Sequence, residues 1–277
     1  MDDHGGKANH LRRRLRVEPG SRVNLGAFDP SATHGHDKTD SAAELAAGLA
    51  RLTDLQDRLW AEAKHPVLVV LQGIDAAGKD GTIRHVMGAF NPQGCRVTSF
   101  KVPTEVELAH DYLWRVHGAT PGKGEIAIFN RSHYEDLLAV RVHGLAPKGA
   151  WSRRYDQINA WERTLVEEGT TIVKFFLAIS ADEQRQRFQE RLDNPAKRWK
   201  FRLADLEERK RWADYRAAFE AALERCSTDW APWYLVPADH NWFRNLAVAE
   251  ILGDVLEELD PAYPPCPDTI PPGLQVE

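Results

Sequence analysis

Cysteine is scarce in this chain: three in 277 residues, at Cys95, Cys226 and Cys266. They are far apart and odd in number, which excludes a disulfide framework and leaves no spacing for a metal knuckle. Reduced thiols in a cytoplasm are the expectation. Long apolar runs are lacking too, so no membrane-spanning helix is expected. Arg12, Arg13, Arg14 and Arg16 stand near the start, yet no apolar core follows them, and no secretory signal is read there. They read as a solvated segment or as a contact for an anionic ligand or a neighbouring subunit. Neither sign of charge dominates: the net charge of -5 argues against a general nucleic-acid coat. Basic groups serving a polyanion would have to be gathered locally. No internal repeat is apparent. What is present is an ordinary globular composition, 43% hydrophobic and 28% charged, in a length that fits one elaborated domain.

The strongest signal lies in residues 67–81. A β-branched apolar run meets Gly73-Ile-Asp75-Ala76-Ala77-Gly78-Lys79, and Asp80-Gly81 opens a helix-compatible segment. The form G-x-x-x-x-G-K between a strand and a helix is that of a phosphate-binding loop. Gly73 and Gly78 permit backbone conformations and approaches that a Cβ would block. Successive N–H groups then point at an anion, and the next helix adds positive potential at its start. Lys79 supplies a mobile cation for a phosphoryl group in transit. Asp80 stands where most such loops carry a Ser or Thr for Mg²⁺, while a carboxylate appears inside the loop at Asp75. An anion beside bound phosphates needs a bridging cation, so Asp75 is expected to face Mg²⁺.

Residues 1–40 lack sustained periodicity and read as an arm or a loosely attached extension. Ser41 and Glu44 have capping-box spacing before a helix with Leu45, Leu49, Leu52, Leu55 and Leu59 on one face, which is core or a partner surface. Strands are expected near residues 67–72, 95–100, 125–129, 170–179 and 233–236. Helices are expected near 81–90, after Thr104, before Gly169, from Ser180, over 203–225 and over 242–259. Lys101 falls at the C-terminal end of the second strand, where open α/β sheets place ligands. The third strand delivers Asn130 and Arg131, and the Arg131 guanidinium suits bidentate phosphate binding. Ser132 and Glu135 again have capping-box spacing, so Glu135 and Asp136 read either as helix-start acids or as site carboxylates. Arg187 and Arg191 share a helix face, Pro195 breaks that helix, and Arg198 and Lys200 follow. Residues 181–203 thus read as a hinged basic lid, or as a solvated face with Glu183 paired to Arg187. The alternation predicts an α/β fold: a three-layer parallel sheet with helices on both faces and a helical lid, of the P-loop kinase type, over residues 41–260. A proline-rich tail fills 261–277.

The motif series is longer than the glycine loop. Gly73 to Gly81, the turn Asn91-Pro92-Gln93-Gly94, Lys101-Val-Pro-Thr104, Tyr112-Leu-Trp-Arg115, Phe129-Asn-Arg-Ser-His-Tyr-Glu-Asp136, Arg198-Trp-Lys200 and Ala231-Pro-Trp-Tyr234 with Pro237-Ala-Asp239 occur in order. In these the sequence resembles the polyphosphate kinase 2 family, most closely its single-domain class accepting AMP and ADP. The resemblance implies transfer of the terminal phosphate of inorganic polyphosphate to adenine nucleotides, with guanine nucleotides as a further acceptor class. It implies Mg²⁺, with Mn²⁺ as a substitute, and no nucleic-acid or membrane partner. Asp75 and Asp136 would hold metal. Lys79 and the amides of Gly73, Ala76, Ala77, Gly78, Asp80 and Gly81 would hold phosphates. Arg131 would bind the transferring phosphoryl group and Glu135 would orient metal or acceptor. Lys101, Asn130, Arg187, Arg191, Arg198 and Lys200 would contact the phosphate chain or the nucleotide. Asn130 stands where many relatives have Asp. A homo-oligomer, dimer or tetramer, is implied as well, with the leucine-rich helix at 44–60 a candidate contact. The alternative reading is an ATP-dependent nucleotide or small-molecule kinase on the same fold; Asp80 and the many basic groups count against it.

Overall fold

The structure is a computed structural model and describes residues 11–266 and Gln275. The first ten residues of the expected arm and most of the expected tail lie outside the described residues. Five strands form the centre: β1 (Val67–Gln72), β2 (Cys95–Ser99), β3 (Ile126–Asn130), β4 (Thr171–Ala178) and β5 (Trp233–Pro237). Every neighbouring pair is parallel, in the order β2-β3-β1-β4-β5. β1 therefore sits mid-sheet, with Val67 opposite Ile126 on one side and Thr171 on the other. The longer helices are α1 (Lys38–Glu62), α2 (Lys79–His85), α3 (Arg154–Glu167), α4 (Ala181–Asp193), α5 (Leu203–Lys210), α6 (Trp212–Cys226) and α7 (Asn241–Glu258).

Side-chain alternation along the strands divides the core into two layers. Val67, Val69, Leu71, Phe175 and Val236 pack with Leu52 and Leu59 of α1 and with Phe243 and Leu252 of α7. Leu68, Val70, Phe129, Ile172 and Phe176 pack on the other face with Ile158 of α3 and Phe219 of α6. Each fully buried Val, Leu, Ile or Phe side chain is worth roughly 1.5–3 kcal/mol over leaving it exposed. Both faces are apolar, as a parallel sheet covered on both sides requires. This is the α/β architecture that the sequence predicts.

Several local expectations change. α1 begins at Lys38: the Asp37 carboxylate accepts from the N–H groups of Thr39 and Asp40, so the cap lies upstream of Ser41. The leucine face of α1 turns inward, with Leu52 and Leu59 fully buried, and is core. Residues 11–37 are not loosely attached. Leu11, Leu15 and Val17 are buried, Val17 N–H donates to Trp233 O at 2.8 Å, and Asp239 N–H donates to Pro30 O at 3.1 Å. The apolar residues interleaved with the arginines make this segment a strap across β5, and Arg12 pairs with Glu258. The helix expected over 203–225 breaks at Arg211 into α5 and α6. α5 buries no residue, whereas α6 buries Ala218, Phe219, Ala222 and Leu223, so packing holds only the second half in line. No helix among the described residues is long and apolar enough to cross a membrane.

Candidate active site

The site forms at the C-terminal ends of β1 and β3. A Cβ on Gly73 would stand 2.8 Å from Leu177 O, so only glycine lets the chain leave β1 this close to β4. Ala76 and Gly78 then take left-handed φ values of 68° and 104°, which curl the loop back to the start of α2. Lys79 sends its ammonium under this curl to Gly73 O at 2.7 Å and is 8% exposed. Burial and the neighbouring Arg131 pull its pKa down to about 8, against the opposing pull of Asp75, Glu135 and Asp80.

β3 ends one residue before a strained position. Arg131 has φ 62°, a left-handed conformation that costs a non-glycine residue roughly 1–3 kcal/mol. Its N–H continues the ladder to Leu71 O at 3.1 Å, and its side chain crosses to the β1 loop. There the guanidinium donates to Asp75 Oδ1 at 2.5 Å and lies 3.6 Å from Glu135 Oε2. Burial works against the charge on Asp75. Arg131, Lys79 and Arg191 outweigh it and hold the carboxyl below its ordinary range. Ser132 caps the single turn His133–Asp136 by accepting from Tyr134 N–H, so the expected box with Glu135 does not form. Glu135 faces Arg131, and the Gln72 amide, turned to donate, meets Glu135 Oε1 at 3.1 Å. Asp136 points elsewhere: its Oδ1 accepts from Arg154 at 2.9 Å. Burial, stronger than the pull of Arg154 and Arg115, raises its pKa to about 6.

The remaining expected residues fall into two groups. Asn130 donates to Asp80 Oδ1 at 2.9 Å, and Lys200 reaches to 3.8 Å from Asp80 Oδ2, which brings the end of the lid to the loop. Arg187 donates to Ala76 O at 2.9 Å, to Ala238 O at 2.6 Å and to Asp239 O at 3.0 Å. It thus fastens the loop to the end of β5, and Glu183 holds its Nε at 2.7 Å. Arg191 stacks over Phe188 at 5.4 Å while lending its field to Asp75. Arg198 donates to Leu192 O and Lys101 is exposed, its carbonyl accepting from Arg115; no bond joins either of them to the loop.

The sequence reading passed over Gln72, Arg154, Gln184 and Arg244. Gln184 donates to Asp75 O at 2.9 Å and so fixes the loop from the lid helix. Arg244 is 2% exposed behind the loop. The available signal was a polar residue at an otherwise apolar position: Gln72 closing an apolar strand, and Arg244 within the apolar helix α7. Beneath the turn lies a fully buried quartet that was also missed. Lys174 of β4 donates to Glu162 Oε2 at 2.5 Å and to Tyr134 OH at 2.9 Å, and Glu162 Oε1 meets His133 Nε2 at 3.1 Å. It anchors the turn that carries Glu135 and Asp136.

The arrangement gathers cations and carboxylates round a glycine loop, which suits binding and moving a phosphoryl group. Comparison with known proteins points the same way. Residues 35–263 match the model of the family described as polyphosphate kinase 2. An AMP/ADP-polyphosphate phosphotransferase of Meiothermus ruber is 55% identical over 96% of this chain and 100% of its own length. An ADP-polyphosphate phosphotransferase of Rhodopseudomonas palustris is 44% identical, covering 91% of this chain and 92% of its own. The crystal structure of polyphosphate kinase 2 from Arthrobacter aurescens TC1 superposes with a TM-score of 0.90 at 44% identity, over 94% of this chain and 93% of that one. With family model, relatives and fold in agreement, this chain belongs to the polyphosphate kinase 2 family.

Proposed function

We propose that the protein transfers the terminal phosphate of inorganic polyphosphate to ADP, giving ATP, and to AMP, giving ADP. The observation that carries this reading is the Arg131 guanidinium set across the mouth of the glycine loop, between Asp75 and Glu135 and beside Lys79. The names of the Meiothermus ruber and Rhodopseudomonas palustris relatives supply the donor and the acceptors. Guanine nucleotides are proposed as a further acceptor class. A homo-oligomer, dimer or tetramer, is proposed with its contact elsewhere than the leucine face of α1, which is core. The three free thiols fit a cytoplasmic location.

The chemistry follows from the charges. The acceptor is an ionised phosphate and needs no general base. Its terminal oxygen attacks the terminal phosphorus of polyphosphate, and the bridging P–O bond opposite breaks. The displaced chain leaves one phosphate shorter. Lys79 and Arg131 neutralise the oxygens of the phosphoryl group in flight, and the loop amides align it. His133 takes no covalent part: it is 1% exposed and locked against Glu162. The donor set fits a hard divalent ion, since Asp75 is held ionised and only its Oδ1 is taken by Arg131. Asp75 would hold Mg²⁺, or Mn²⁺ in its place; Asp136, expected as a second carboxylate, is instead bonded to Arg154. When bound, such an ion would neutralise phosphate charge.

The test offers AMP and ADP separately to the purified protein with Mg²⁺ and long-chain polyphosphate, with nucleotides read by chromatography. ATP from ADP and ADP from AMP are expected, both lost in Lys79→Ala. Use of ADP without AMP would remove the dual-acceptor assignment. Phosphorylation of a small metabolite from ATP alone, with neither nucleotide phosphorylated by polyphosphate, would overturn the function.

A further inference from the structure

Arg244 is the one large cation of α7 that enters the interior beside the glycine loop. It is 2% exposed, and its own helix holds it: Nη1 donates to Asn241 Oδ1 at 2.6 Å, while Nε and Nη2 donate to Asn245 Oδ1 at 3.2 and 2.9 Å. Three of its five N–H donors are thus accepted, all by neutral amides. Among the described residues no carboxylate forms an ion pair with it, and the charged neighbour it feels is another cation, Arg187. Burial and Arg187 together pull its pKa down to about 9, so it is still charged at neutral pH. A buried guanidinium without an anion is a costly arrangement, and replacing such a charge by an apolar side chain is often stabilising.

The place of this cation explains why it is kept. A Cβ on Gly78 would fall 1.9 Å from Arg244 Nη1 and 2.8 Å from its Cζ, and one on Gly81 would fall 3.0 Å from Nη2. The guanidinium therefore packs against the back of the loop at both glycines. Lys79 occupies the space under the same curl, bonded to Gly73 O. Glycine at 78 is required twice, by its left-handed φ and by the guanidinium packed against it.

We propose that Arg244 is a positioning residue for the loop, a fixed buried cation whose missing counter-charge is the phosphate the loop binds. The inference rests on the reading that the loop takes phosphoryl groups. In the free protein the charge is unbalanced; with phosphate in the loop it is balanced. Stability given up in the free state thereby returns as affinity for the anion.

The test measures binding of inorganic tripolyphosphate to the full chain by calorimetry and by the shift in unfolding temperature, in the wild type, Arg244→Met, Arg244→Lys and Asn241→Asp. If the wild type binds no tripolyphosphate, the reading of the loop itself fails, and the inference with it. Given wild-type binding, Arg244→Met is expected to unfold at an equal or higher temperature when free, yet to bind tripolyphosphate about tenfold more weakly, the size expected of one charge acting over about 10 Å at an effective dielectric of about 20. Its KM for polyphosphate should rise by a similar factor with kcat changed far less. Arg244→Lys should recover most of the affinity. Asn241→Asp keeps the arginine and gives it a carboxylate, so it should stabilise the free protein and weaken binding, and it carries the test if Arg244→Met does not fold. Unchanged tripolyphosphate affinity in Arg244→Met, or in Asn241→Asp, would overturn the proposal and leave Arg244 a packing residue.

Discussion

Two clusters of opposite charges are set against the sheet, and their closest contacts have the same length. Lys174 meets Glu162 at 2.5 Å, and Arg131 meets Asp75 at 2.5 Å. Distance therefore does not separate them. In the first, both side chains are 0% exposed, and every charge ends on a partner inside the protein: Lys174 on Glu162, Tyr134 and Cys226 O, and Glu162 on His133 as well. In the second, Arg131 and Asp75 are 40% and 34% exposed, and Arg131, Lys79 and Arg191 all turn their charge on a site open to solvent. The closed cluster fixes the turn. The open one has capacity left for an anion. Burial opposes ionisation in both, yet Glu162 stays below its ordinary range because Lys174 and His133 overcome that penalty.

The comparison breaks most visibly at Arg131. Arg131→Gly removes the guanidinium and accepts φ 62° without strain. Nucleotide phosphorylation is expected to fall about 10³-fold or more, as for arginines that stabilise phosphoryl transfer. The denaturant midpoint should hold or rise. Activity within tenfold of the wild type would show that the open cluster is not the catalytic one. Lys174→Met makes the opposite demand. It leaves Glu162 buried without its cation, which costs about 3–5 kcal/mol in stability. Urea unfolding should register that loss while the protein that remains folded keeps its KM for polyphosphate. Adding Glu162→Gln should recover part of the stability, because the stranded charge is then gone. A KM that rises with Lys174→Met as steeply as stability falls would make the closed cluster part of the binding site.

The open cluster was legible in the sequence because its parts are short-range words. The glycine spacing and Lys79 sit on one loop, and Arg131 and Glu135 follow one strand. The sheet was legible for a similar reason, since each strand is a nearly unbroken apolar run. What the sequence hid was long-range. Nothing near Glu162 announces that it meets Lys174, a strand residue that reads as an interruption until both are seen in one cavity. The strap over 11–37 reads as polar arm because its buried residues, Leu11, Leu15 and Val17, are separated by arginines. Arg187 was expected to grip substrate, and the structure spends its donors on three loop carbonyls, a choice that local sequence does not encode. Asp136 was grouped with Asp75, whereas a helical partner, Arg154, draws it aside.

A third cluster, with burial between the two, sharpens the contrast. Glu250 of α7 faces His36 before α1, Glu44 and Arg51 of α1, and Asp254 of its own helix. Its Oε2 is buried with no hydrogen-bond partner among the described residues. Acids are in excess there, since Arg51 already serves Asp254 and Glu257. Burial first, and then Glu44 and Asp254, raise the Glu250 pKa from 4.5 to about 7. The folded state therefore binds a proton more tightly than the unfolded chain between these values. Stability contributed by protonated Glu250 is present at the acidic end of that window and is lost as pH rises through about 7. Glu250→Gln should remove this dependence and raise stability at pH 8 by about 1–2 kcal/mol, after allowance for partial exposure. Unfolding temperatures of the two proteins across the window provide the check: the curves should converge in acid and separate above neutrality. Parallel curves would mean that Glu250 is balanced by its neighbours, as Glu162 is, and would place this cluster with the closed one.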